Sequence, residues 1–162
     1  MTANQENLVT HHMKHTTLFL SLAMLLTGLA SRAHAQNCSF ATVAGNYSLT
    51  LTGTIITPQG PVPAAAVVNA SLSPTGAASG TEGRNVGGMY ANETFKGTYT
   101  VNSGCRGAAT VQFFQGGQLV RTSVLTILWD DNSNEVRMVQ QSLTLPDGTT
   151  LPVVITVEGR RH

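Results

Sequence analysis

From Tyr47 onward, apolar and hydroxyl-bearing residues take turns along the chain. Tyr47, Leu49, Leu51 and Ile55 alternate with Ser48, Thr50, Thr52 and Thr54. A period of two puts one set on each face of a β-strand. Strand-like runs return over Ala65–Leu72, Ala78–Val86, Thr94–Val101, Ala108–Gln115, Leu119–Trp129, Glu135–Leu143 and Leu151–Glu158. Turn chemistry separates them: a Pro/Gly loop from Thr57 to Pro63, then Pro74-Thr75-Gly76, Gly87-Gly88, Asn102-Ser103-Gly104, Gly116-Gly117 and Pro146-Asp147-Gly148. A polar stretch, Asp130 to Asn134, separates the sixth and seventh runs. No apolar pattern with a helical period of useful length interrupts this series.

Eight strands joined by short turns predict an all-β antiparallel meander. An open meander exposes two edges, and closure removes them. Eight strands close into a barrel whose interior holds side chains or one small ligand. A two-sheet sandwich is the alternative, but it needs longer crossing connections than most of these turns provide. The expectation is one calycin-like barrel over 47–158. A segment at 36–46 precedes it and a short basic tail at 159–162 follows it.

The chain before the barrel reads as an export signal. Thr16 to Leu29 is apolar, Lys14 precedes it, and Ala33-His34-Ala35 is a small-x-small exit. The apolar run falls short of the about 20 residues that cross a bilayer as a helix. Cleavage is expected after Ala35, with Met13-Lys14-His15 the more ordinary start of such a signal. The product is then periplasmic or extracellular, with no membrane anchor. Cys38 is too far from the cut to be a lipid-modified first residue.

Cys38 and Cys105 are the two cysteines. An even number in an exported chain favours a disulfide, and two buried thiols are the alternative. The pairing would tie the new N-terminus to the turn after the fourth strand.

Charge removes several function classes. Acids (Glu82, Glu93, Asp130, Asp131, Glu135, Asp147, Glu158) and bases (Arg84, Lys96, Arg106, Arg121, Arg137, Arg160, Arg161) balance in residues 36–162. Without a basic stripe, nucleic acid is a poor partner. His162 is the sole histidine after the signal, which speaks against His-dependent triads and multi-His metal sites. No catalytic residue, metal ligand or cofactor is assigned.

The candidate ligand-binding residues are Glu82, Arg84, Tyr99, Arg121 and Trp129. Glu82 and Arg84 are two apart and share a strand face. They either form a charged pair in a barrel mouth or a solvated pair outside, the commoner case. Arg121 shares a face with Leu119, Leu125 and Ile127, but Val120, Val124 and Leu128 make the other face apolar too. Solvent exposure of Arg121 is the slightly favoured reading. A buried guanidinium would need a partner and would mark a ligand site. Tyr99 suits either core or a cavity wall, and Trp129, beside Asp130 and Asp131, suits a rim. Phe113 and Phe114 are adjacent, so one of them must leave the core.

The stretch from Gly80 to Val111 contains GTEGRNVGG and ETFKGTYTVNSGCRGAATV. Its Gly-Thr-Tyr-Thr-Val strand followed by a Cys-x-Gly turn resembles small secreted bacterial proteins of unassigned function. Those are similar to the allene oxide cyclase-like barrel group, related in architecture to dirigent proteins and lipocalins. The resemblance implies a barrel and, among characterised relatives, cyclases and isomerases acting on apolar substrates in the cavity. None of their functional residues matches a position here.

Three functions are therefore carried forward. The first is a secreted barrel binding a small apolar or amphipathic ligand. The second is a cofactor-independent cyclase or isomerase, weakened by the missing histidine. The third is an envelope or matrix protein with a filled barrel. An oligomer is compatible with all three.

Overall fold

The computed structural model describes residues 37–162. The export signal expected within residues 1–35 lies outside the described residues. A short helix, α1 (Phe40–Val43), is the first element of the described residues. Ser39 caps it: its hydroxyl accepts from Thr42 N, and Thr42 Oγ1 accepts from Ser39 N. This reciprocal pair satisfies donors that a helix start leaves open.

Nine strands follow: β1 (Gly45–Thr57), β2 (Gly60–Leu72), β3 (Ala77–Val86), β4 (Met89–Tyr99), β5 (Arg106–Gln115), β6 (Gln118–Asp130), β7 (Glu135–Thr144), β8 (Thr150–Leu151) and β9 (Val153–Arg161). Neighbours from β1 to β7 pair antiparallel in sequence order. β9 then pairs with β7 on one side and β1 on the other. That last pairing closes an eight-stranded barrel and excludes the sandwich. β8 adds a two-residue pairing near the end of β7.

Several boundaries differ from the sequence expectation: β4, for one, opens at Met89 rather than Thr94. The Pro/Gly loop shrinks to Pro58-Gln59, and Pro61 and Pro63 lie within β2. Both prolines precede Ala64, where pairing with β3 begins. A missing N–H there breaks no ladder, which is where strands tolerate proline. At the other end, β9 runs past Glu158 to Arg161. Arg161 Nη2 donates to the carbonyls of Thr42 and Ala44 at 2.6 and 2.8 Å, so it closes the carbonyl end of α1.

The inward residues make a continuous core. Leu49, Phe95, Val111, Phe113, Leu125, Ile127, Ile155 and Val157 are all buried. Phe113 faces in, and Phe114 faces out with Lys96 Nζ 5.0 Å from its ring centroid. One barrel end is plugged. The Cys38–Cys105 disulfide, with a Cα separation of 4.9 Å, holds the N-terminal segment there. Phe40 packs edge-on against Tyr99, which leans on Trp129. The Tyr47 hydroxyl donates toward the carbonyls of Val43 and Ser133.

Small residues set the bore. Gly80 faces Phe95 across the β3–β4 pair. A Cβ at Gly80 would lie 2.0 Å from the Asn69 carbonyl oxygen and 2.6 Å from the Phe95 ring. Gly80→Ala is therefore expected to cost about 1–3 kcal/mol by overpacking. Urea denaturation checks it, with Gly104→Ala as a control, since the nearest atom there, the Asn102 side-chain oxygen, lies at an ordinary contact distance of 3.4 Å.

Candidate ligand site inside the barrel

Above the plug, the interior divides into two spaces. The lower is an apolar chamber of about 80 Å³ walled by Leu49, Phe95, Tyr99, Val111, Ile127 and Val157, among others. The upper, of about 180 Å³, lies toward the hairpin turns 58–59, 87–88 and 116–117 and is walled by Ile55, Val86, Val120, Leu145 and Leu151. Glu82, Leu51, Phe113 and Leu125 border both spaces. A layer of charge lies between them.

Strand register builds that layer. Glu82 on β3 stands directly across from Glu93 on β4. Like charges so placed repel. Arg121, arriving from β6, resolves the conflict: Nη1 donates to Glu93 and Nη2 to Glu82. Arg84 donates through Nε to the other oxygen of Glu93. The Arg121 guanidinium also sits over the ring of Phe113, its cross-strand partner, with 3.8 Å from guanidinium carbon to ring centroid. Such a contact helps hold the planar fork toward the carboxylates.

Arg121 faces inward by strand parity with Ser123, Leu125 and Ile127, and a bulge beside it brings in a second residue. β5 and β6 slip register between Phe113 and Phe114, leaving Val120 as the extra residue. Val120 and Arg121 then both line the upper cavity, the re-aiming that bulges permit. A second slip, between Val124 and Leu125, leaves Gln141 extra on β7. Its neighbour Gln140 points inward, and Nε2 donates to Ser123 Oγ and Ser142 O, each at 3.0 Å.

The two carboxyls respond in opposite ways. Burial pushes Glu82 above the usual carboxylate range, against the pull of Arg121. Burial also opposes charge on Glu93, but hydrogen bonds and charge from Arg84 and Arg121 outweigh it and hold Glu93 below the usual range. At the plug, desolvation raises the Tyr47 and Tyr99 hydroxyls, so both remain neutral donors.

Glu82 and Arg84 do share a face, but it is the interior face, not the solvated one that was the commoner expectation. They also do not pair with each other. Arg121 is inward too, against the reading that favoured exposure. Leu125, Ile127 and Trp129 alternate with it on the buried side of β6. Trp129 is 1 % exposed at the plug and lines neither cavity. The rim position expected for it is corrected by the N-terminal segment, which covers that end. Tyr99 borders the lower chamber and donates to Ser73 O at 2.6 Å. Thus the structure gathers Glu82, Arg84 and Arg121 and leaves Tyr99 and Trp129 apart.

Sequence reasoning missed Glu93, Ser123 and Gln140. Glu93 left a usable signal, since it shares parity with Phe95 and Tyr99, the apolar face of its strand. Ser123 shares parity with Leu125 in the same way. Gln140 left one too, since it shares parity with Val136 and Met138 on the inward face of β7.

No family model matches the chain, and no curated protein does. Among solved structures, the barrel is similar to one described as EF1p2_mFAP2b bound to DFHBI. The two share 12% identity with a TM-score of 0.52, over 75% of this chain and 95% of that one. At such identity the likeness concerns fold alone, a closed antiparallel β-barrel.

Proposed function

We propose that this is an exported barrel protein that holds a small, largely apolar molecule in the upper cavity. The observation that carries this reading is the cavity itself: apolar walls over a floor of buried, hydrogen-bonded charge. Binding sites commonly combine apolar lining with a few fixed polar groups. The volume of about 180 Å³ is below that of drug-sized sites. It is slightly above the ~150 Å³ that accommodates a benzene ring. The disulfide and the absence, among the described residues, of a helix able to cross a membrane fit an exported product. The similar barrel, being bound to DFHBI, supports ligand binding as a use of this architecture. A filled envelope or matrix protein would have no need of the space.

Alanines hollow out the cavity. Ala64 and Ala66 on β2 are buried and line it. Ala66→Leu adds side-chain volume where Arg84 is the β3 neighbour. It is expected to abolish binding of toluene, measured by ligand-observed NMR, while circular dichroism keeps the β signature. Native mass spectrometry of the purified protein tests for a co-purifying small molecule. Retained toluene binding in the leucine variant would place the ligand elsewhere.

One observation favours a second reading, a cofactor-independent cyclase or isomerase like those of the allene oxide cyclase-like group. Glu82 is a buried carboxyl with a raised pKa at the edge of an apolar space, a setting that suits proton transfer. Loss of turnover without loss of affinity in Glu82→Gln would distinguish it from simple binding.

A further inference from the structure

We infer that the upper cavity selects a small organic anion, a monocarboxylate of about benzoate size, gripped by Arg84. The inference rests on the cavity reading above and adds the charge of the occupant.

The four charged residues balance as a set, but they do not face the cavity equally. Glu82, Arg84 and Arg121 line it; Glu93 does not. Two guanidiniums and one carboxylate therefore border the upper space, and Glu93 sits behind them. Burial further disfavours the charge on Glu82, which leaves the excess positive.

The two arginines also differ in spare capacity. Arg121 commits both terminal nitrogens to carboxylates. Arg84 commits only Nε. Among the described residues its two terminal nitrogens make no hydrogen bond, and its side chain is 24% exposed. A guanidinium edge with two parallel donors matches a carboxylate. The cross-strand neighbours of Arg84 are Ala66 and Ala91. Neither is long enough to cover that edge. An apolar body would then rest against Ile55, Leu145 and Leu151.

A cationic occupant fits less well. Glu82 is the one acid lining the cavity, and it is already engaged by Arg121. An ammonium would sit between two guanidiniums with a shared counter-ion.

The test titrates the protein with sodium benzoate, benzylammonium chloride and toluene, by calorimetry and ligand-observed NMR. Benzoate is expected to bind at least about 10-fold tighter than benzylammonium. Arg84→Met is expected to weaken benzoate by about 10–100-fold, the worth of charge-assisted hydrogen bonds, and toluene by a much smaller factor. Arg84→Lys keeps the charge but loses the fork, and is expected to weaken benzoate by a smaller factor. Toluene binding certifies that each variant retains the cavity. Benzoate affinity unchanged in both variants, or benzylammonium preferred, overturns the anion inference and leaves the cavity reading standing. Failure of all three probes on the unaltered protein overturns the cavity reading itself.

Discussion

Glu93→Gln is expected to lower the unfolding free energy by about 3–5 kcal/mol at neutral pH, the cost of removing one partner from a buried charge cluster. Glu93 is the hub of the layer, accepting from Arg84 on one oxygen and Arg121 on the other. Its side chain has no solvent exposure. Glutamine keeps one acceptor but turns a donor toward a guanidinium. Arg121 would keep Glu82 as its one carboxylate partner, and Arg84 would lose its own. Urea denaturation of the variant and the parent measures the difference, and a change under about 1 kcal/mol, typical of an exposed pair, would contradict this account of the layer.

Glu82→Gln should behave differently, although Glu82 stands directly opposite. Its carboxyl is already pushed toward the neutral form, so a neutral replacement loses less. The pH profiles separate the two. The lowered Glu93 contributes stability above the ordinary carboxylate pKa, and that contribution is lost as pH falls through its lowered value. The raised Glu82 acts in reverse. Its contribution is present below the ordinary carboxylate pKa and is lost as pH rises through its raised value. Glu82→Gln therefore removes a decline of stability on the rising side of the carboxylate range. Glu93→Gln removes the decline on the acid side. Denaturation at a series of pH values from about 3 to 8 reads both slopes.

The second large effect is expected at the plugged end. Replacing Cys38 and Cys105 together by serine should cost about 4 kcal/mol, from loop-closure entropy over a separation of 67 residues. The contacts released explain where the loss is felt. Val43 is fully buried beneath the segment that Cys38 holds, and Tyr47, Tyr99 and Trp129 lie with it in one cluster. Beside the disulfide, Cys38 N donates to the Ser103 carbonyl at 3.4 Å and Cys38 Sγ meets Ser133 Oγ at 3.6 Å. Hydrogen exchange should rise first at the amides of Tyr99 and Trp129, which bond across this end to Gly76 O and Cys105 O. The charged layer is built from β3, β4 and β6, so cavity binding should survive. Equal exchange at both barrel ends would contradict this division.

Much of this was legible in the sequence, and the failures share a cause. The strand series was legible because each strand has one apolar face and each turn its own residue chemistry. The sixth strand was not decidable, since Val120, Val124 and Leu128 match Leu125 and Ile127 in polarity. Packing placed Ile127 and Trp129 inside, and Arg121 followed by parity. Exposure of a charged pair is a sound default for Glu82 and Arg84, because a buried charge needs partners. Those partners come from β4 and β6, so the pair looked solitary along its own strand.

The sequence by itself determined an all-β chain, its eight long strands, the turns between them and two cysteines suited to pairing. These depend on residues close together in the chain, or on a simple count. Only the tertiary structure decided that β9 meets both β1 and β7 to close the barrel. It also decided which face of β6 is interior and where two bulges, at Val120 and Gln141, shift the register. The charged layer belongs to the same class. Arg121 and Glu82 meet across 39 residues of sequence, and Arg121 and Glu93 across 28. Alternation states that a strand has two faces; only closure, by fixing which strands surround which space, gives each buried charge its partner.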